Sequence, residues 1–176
     1  MKIEPTKEKR SHGMGDFKPG DFSRLGKNVV FEKGVLVFHP ENIEIGDNVY
    51  IGHYTMLNGY YRNRMIIGDH TWIGPQCFLH SAGGLRIGRA VGIGPKVTIL
   101  TSQHRNIDRE IPVYFSPLEF AEVRLGDGCD IGAGAVILPG AKIGEGAIVG
   151  AGAVVVSEIP SYEVWAGVPA QKINKR

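Results

Sequence analysis

Aliphatic residues recur every six positions through residues 25–160, and most are followed directly by glycine. The clearest pairs are Ile45-Gly46, Ile51-Gly52, Ile67-Gly68, Ile73-Gly74, Ile87-Gly88, Ile93-Gly94, Leu125-Gly126, Ile131-Gly132, Ile143-Gly144 and Val149-Gly150. Two residues before each aliphatic stands a small or β-branched residue, as at Val49, Thr55, Thr71, Cys77, Val91, Val97, Cys129, Ala135, Ala141, Ala147 and Ala153. Side chains on a strand alternate with period two, so both positions point to one interior. A short unit repeated at a fixed period cannot bury its apolar face alone and must stack on its copies. The pattern predicts an all-β, parallel β-helix with three hexads to a triangular turn. Turns start at Leu25, Ile45, Ile67, Ile87, Leu125 and Ile143, about six coils.

The intervals between these starts are 20, 22, 20, 38 and 18 residues, and every excess falls after the third hexad. One edge of the prism therefore collects the insertions. The residue after the aliphatic points the same way. It is glycine throughout the first face and nearly so on the second, but on the third it is Phe38, Asn58, His80, Leu100, Leu138 and Val156. Glycine serves where the backbone takes a conformation closed to other residues or comes close to something. Two corners thus follow backbone geometry, and the third is free to carry side chains and loops. The largest insertion, residues 101–122, is one long protruding loop. Loops of that length in a compact domain are usually functional or disordered, and Pro112, Tyr114, Phe115, Pro117, Leu118 and Phe120 argue against disorder. The chain divides into an N-terminal extension (1–24), the β-helix (25–160) and a short C-terminal tail (161–176).

Composition narrows the function classes. A chain of 176 residues with 43% hydrophobic and 22% charged residues suits one globular domain. The formal charge of +2 argues against nucleic acid as partner, and no apolar run reaches the length of a membrane span. Residues 1–10 lack the apolar stretch of a signal peptide, which points to the cytoplasm. Cys77 and Cys129 fit no metal or disulfide framework and occupy inward positions, so they read as core packing.

The hexad ladder, the sequence Gln103-His104-Arg105 opening the long loop, the run Ile131-Gly132-Ala133-Gly134-Ala135 and the ending Ala166-Gly167-Val168-Pro169-Ala170 resemble the left-handed β-helix hexapeptide acyltransferases. The branch most similar is that of the galactoside, maltose and chloramphenicol O-acetyltransferases. The resemblance implies a left-handed helix, a homotrimer with active sites between subunits, acetyl-CoA as acyl donor and a small carbohydrate as acceptor. It gives His104 the role of general base in direct transfer, with no acyl-enzyme. It places Ala133 and Ala151 where relatives offer backbone groups to the pantetheine arm, with Gly132 and Gly150 permitting close approach. Lys172, Lys175 and Arg176 are candidates for the coenzyme A phosphates. Two departures count against a maltose- or galactoside-type acceptor pocket: the first 24 residues are short, charged and rich in Gly and Pro, and Cys129-Asp130 stands where galactoside-type members carry a tryptophan before the Ile-Gly pair.

The chemistry fits the residue types. An alcohol attacks a thioester poorly until its proton is removed, and an imidazole titrating near 6.5 can take that proton at neutral pH. Asn58 and His80 both lie 13 residues past their turn starts and should stack beside the loop as acceptor-binding residues. Glu119, Asp108 and Glu110 are carboxylates that could orient the histidine or bind acceptor. His12, His39, His53 and His70 read as surface residues. N-acetylation of an amino sugar, free or nucleotide-linked, uses the same donor site and is the alternative within the enzyme class. A zinc carbonic anhydrase on the same prism needs three converging histidines, and a non-catalytic scaffold needs none. No metal is expected.

Overall fold

A computed structural model of the chain describes residues 11–105 and 109–176. Three parallel sheets form the sides of a prism. The first face holds Arg24–Leu25, Ile43–Ile45, Met65–Ile67, Leu85–Ile87, Val123–Leu125 and Lys142–Ile143. The second runs from Val30–Phe31 through Tyr50–Ile51, Trp72–Ile73, Gly92–Ile93, Asp130–Ile131 and Ile148–Val149 to Glu163–Ala166. The third holds Leu36–Phe38, Met56–Asn58, Phe78–His80, Thr98–Ile99, Val136–Ile137 and Val154–Val155. Equivalent residues pair from turn to turn, as Ile45 with Ile67, Ile73 with Ile93 and Leu79 with Ile99. The ladder aliphatics from Ile45 to Val155 and the small residues two before them form one continuous buried core. Thr55 and Thr71 lie in it because their hydroxyls donate to the carbonyls of Gly74 and Gly88 in the turn above, leaving no unpaired polar atom. Cys77 and Cys129 are buried there too, and burial pushes the Cys129 thiol up to about 12.

The prism has about seven turns rather than six. Ile159 bridges Ile143 on the first face and Glu163–Ala166 adds a seventh parallel rung to the second. Gln171–Lys175 then turns back antiparallel on Glu163–Ala166, so the C-terminal segment is a hairpin closing the stack rather than a tail. The other end is closed by the N-terminal extension. Phe17 and Phe22 pack with Phe31 of the first turn, with ring centroids 4.8–5.6 Å apart. Such caps cover ends of a solenoid that would otherwise invite edge-to-edge association. Phe22→Ala should lower unfolding free energy by about 3 kcal/mol, read as a fall in the midpoint of denaturant unfolding.

The corners explain the glycines. The left-handed residue of each turn is the third after the ladder aliphatic, not the first. Asn48, His70 and Ala90 take φ of 56°, 59° and 53° there. The glycine directly after the aliphatic is needed for close approach instead. A Cβ on Gly68 would lie 2.5 Å from the Gly88 carbonyl oxygen, and one on Gly132 would lie 2.4 Å from the Ala151 nitrogen. The next turn's backbone occupies the space a side chain would take.

Candidate active site

The third edge gathers the irregular parts. On the third face Asn58 pairs with His80 in register, so the two side chains stand one above the other, as their phase in the repeat requires. Beside them the long insertion is not a featureless loop. Ser102–His104 and Leu118–Phe120 form an antiparallel ribbon that pairs Ser102 with Phe120, Gln103 with Glu119 and His104 with Leu118. Residues directly opposite share a face of the ribbon, and faces alternate along it. Ser102, His104, Leu118 and Phe120 therefore share one face, and Gln103 and Glu119 lie on the other.

That first face closes over the prism edge to make a cavity of about 210 Å³. Asn58, Tyr60, His80, Ser102, Leu118 and Phe120 line it, joined by His12 and His39. The last two are thus not merely surface histidines. His39 sits beside the Asn58 rung, and its Nδ1 lies 2.9 Å from the Glu41 carboxylate. His104 is not a wall of the cavity but stands on the same face of the ribbon, two residues beyond Ser102. Its Nδ1 lies 2.9 Å from the carbonyl oxygen of Ser116. A carbonyl can only accept, so Nδ1 carries the proton and Nε2 of the neutral ring keeps its lone pair.

His80 is held in a similar way. The Thr101 hydroxyl lies 3.0 Å from the His80 carbonyl and 3.3 Å from His80 Nδ1, and it accepts the Gly83 N–H at 2.9 Å. With the hydroxyl proton given to the carbonyl, Thr101 Oγ1 can accept from Nδ1, which leaves His80 Nε2 as an acceptor. Burial disfavours the imidazolium and lowers the His80 pKa from its ordinary 6.5. A histidine whose folded pKa is depressed contributes stability that is whole above the unfolded value of about 6.5. That stability is lost as pH falls from there toward the folded value. Melting temperature should accordingly drop more between about pH 6.5 and 5 for the wild type than for His80→Gln.

The remaining candidates separate. Glu119 lies on the far face of the ribbon, 3.3 Å from the Arg105 guanidinium, and does not reach the cavity. Asp108 lies outside the described residues. Ala133 and Ala151 are exposed and stack on successive turns at the corner between second and third faces, where Gly152 N–H donates to the Ala133 carbonyl. Gly132 and Gly150 let the turns stack closely there, since their added Cβ atoms would meet Ala151 and Ala166. Lys172 sits near that corner, paired with Glu163. The strand then carries Lys175 and Arg176 across the second face to the opposite corner, where the Arg176 N–H donates to the Tyr162 carbonyl. The three basic residues do not form one cluster. Among the described residues no group of three or more His, Cys, Asp or Glu side chains is placed to hold a metal ion.

A family model described as bacterial transferase hexapeptide (six repeats) matches residues 122–157. WcaF of Escherichia coli (strain K12), named for acetyl transfer in colanic acid biosynthesis, is 28% identical over 154 residues, covering 88% of this chain and 70% of that protein. Along most of its length the chain resembles the hexapeptide-repeat transferases. Solved acyltransferases agree with it in fold. AntD, an N-acyltransferase from Bacillus cereus solved with dTDP and coenzyme A, superposes with a TM-score of 0.80 at 27% identity, covering 89% of this chain and 86% of that one. AntD has also been solved with dTDP-4-amino-4,6-dideoxyglucose and coenzyme A. A maltose O-acetyltransferase from Clostridium difficile 630 gives a TM-score of 0.62 at 26% identity, covering 89% of this chain and 71% of that one. The activity of this hexapeptide-repeat protein is acyl transfer.

Proposed function

We propose that this acyltransferase moves an acetyl group from acetyl-CoA directly to a hydroxyl of a carbohydrate, with His104 as general base. The carrying observation is the anchored His104 ring: Nδ1–H is committed to the Ser116 carbonyl, which leaves Nε2 as an acceptor, and the residue shares its ribbon face with Ser102, Leu118 and Phe120 of the cavity. Nε2 takes the hydroxyl proton as the acceptor oxygen attacks the thioester carbon. The tetrahedral adduct collapses with cleavage of the carbon–sulfur bond, and the imidazolium returns the proton to the departing thiolate. Asn58 and His80 hold the acceptor within the cavity, where Tyr60 and Phe120 offer ring faces to a sugar. The pantetheine arm runs past Ala133 and Ala151, whose exposed backbone can bond it, and Lys172 meets the phosphates.

A homotrimer completes the site. The third face turns Leu36, Met56, Phe78, Val136 and Val154 outward, whereas the first turns out Arg24, Arg86, Arg124 and Lys142. Val113, Tyr114 and Leu118 of the insertion are 54%, 58% and 42% exposed, an apolar surface that a second copy would cover.

The likeness to AntD favours a second reading, N-acyl transfer to a nucleotide-linked amino sugar. One experiment separates the two. Free-thiol release from acetyl-CoA is followed across a panel of sugars and amino sugars, and each product is treated with alkaline hydroxylamine. An ester is cleaved and an amide survives. With both cysteines buried, the protein adds little thiol background. Silence across the whole panel, with acetyl-CoA bound, would sink both readings.

A further inference from the structure

The rings that line the cavity continue out of it. Tyr60 lies edge-on to His80 with centroids 6.0 Å apart and faces Phe120 at 6.4 Å. Tyr61, beyond the cavity, packs on Tyr60 at 4.5 Å and is 63% exposed. At this outer end the Arg62 guanidinium carbon lies 5.1 Å from the Phe120 ring centroid and 5.6 Å from that of Tyr61. Arg62 thus rests between two aromatic rings at the cavity mouth, in the four-residue excess of the second turn over three hexads.

Arg64, Arg86, Arg89, Arg105 and Arg124 each have a carboxylate within ion-pairing distance. Arg62, like Arg24 and Arg176, has none among the described residues, but of these it alone lies against aromatic rings beside the cavity. Among the described residues no Asp or Glu lines the cavity, and the Glu41 carboxylate is engaged by His39. Rings fix the guanidinium plane while leaving its N–H edge open, the arrangement suited to bidentate capture of an oxyanion.

We infer that Arg62 is a specificity residue for a phosphate carried by the acceptor, so that the acceptor is a glycosyl phosphate with its sugar in the cavity and its phosphate on Arg62 at the mouth. This rests on the acceptor cavity assigned above. Phosphate is favoured over a sugar carboxylate by position. Arg62 is not a wall of the cavity, so its partner must extend away from the ring, whereas a carboxyl group attached directly to the ring carbon chain stays within it. Exposed Tyr61 beside Arg62 offers a face on which a nucleobase could stack.

Binding to the full-length protein, read by calorimetry at low and high salt, tests this with glucose, glucose 1-phosphate, UDP-glucose and glucuronic acid as probes. Glucose 1-phosphate should bind about tenfold or more tightly than glucose, with the advantage shrinking at high salt. Arg62→Met should abolish the advantage and Arg62→Lys should keep part of it. Further tightening by UDP-glucose would mark a nucleotide-linked acceptor, and equal binding of the two phosphates would mark the phosphate alone as the recognised group. The inference is overturned if glucose binds as well as its phosphate, if glucuronic acid is preferred, or if Arg62→Met keeps the phosphate advantage. Acyl transfer that fails while this binding pattern holds removes the proposed reaction and leaves the phosphate subsite. Transfer to free sugars without that pattern does the reverse.

Discussion

His104→Ala should lower turnover by about two to four orders of magnitude, the range for loss of a positioned general base. The affinity for coenzyme A should persist. The ring's one described hydrogen bond runs to the Ser116 carbonyl within its own loop, and the donor candidates Ala133 and Ala151 stand on a different corner of the prism. A His104→Gln variant tests positioning separately from proton transfer, since its amide can still donate to Ser116 but cannot accept and return a proton. If Gln restores the rate, the ring is structural. If Ala leaves turnover intact, the base lies elsewhere, and His80, which lines the cavity, is the next residue to test. The measurement is kcat for thiol release alongside equilibrium binding of coenzyme A.

A large effect on stability is expected from Gly132→Ala. The new methyl would lie 2.4 Å from the Ala151 nitrogen and 2.7 Å from the Gly150 carbonyl carbon, both backbone atoms that cannot rotate aside. Overpacking of a tight interior costs about 1–3 kcal/mol, and more where nothing yields. A loss of about 3 kcal/mol is expected here. Gly134→Ala, two residues on, is the matched control. Its φ is +69° and nothing lies within 4 Å of its missing Cβ, so the cost is only the left-handed conformation, about 1–2 kcal/mol. Denaturant unfolding of the two variants should show the larger shift for Gly132→Ala. Equal shifts would mean that the stacked turns tolerate a side chain and that the glycines answer to something other than packing.

The ladder was legible because its signal is periodic: every inward residue from Ile45 to Val155 lies where the six-residue phase puts it. The seventh turn was not, because it breaks the phase. Ile159 follows Ile143 by 16 residues, and Pro160 and Ala166 stand where glycine would mark the corner. At the site, Asn58 and His80 were readable as neighbours because both ride on the repeat. The ribbon of the insertion was hidden, since two strands of three residues carry too little alternation to be seen. With its register unknown, nothing in the sequence could show that Glu119 faces away from His104 toward Arg105. The cavity role of His12 was hidden for a different reason, because the N-terminal extension is placed by the packing of Phe17 and Phe22 on Phe31. Tyr60 did leave a trace in the sequence. It falls in the stretch Gly59-Tyr60-Tyr61-Arg62-Asn63-Arg64, where the second turn is four residues longer than three hexads.

Arg86 pairs with Arg124 across the long insertion in the same register as it pairs with Ile66 across a turn of 20 residues. The scaffold does not register how much chain leaves and returns at that edge. Recognition and folding are therefore inherited separately: grafting a relative's ribbon between Thr101 and Glu122 should redirect the choice of acceptor while the melting curve of the host stays its own.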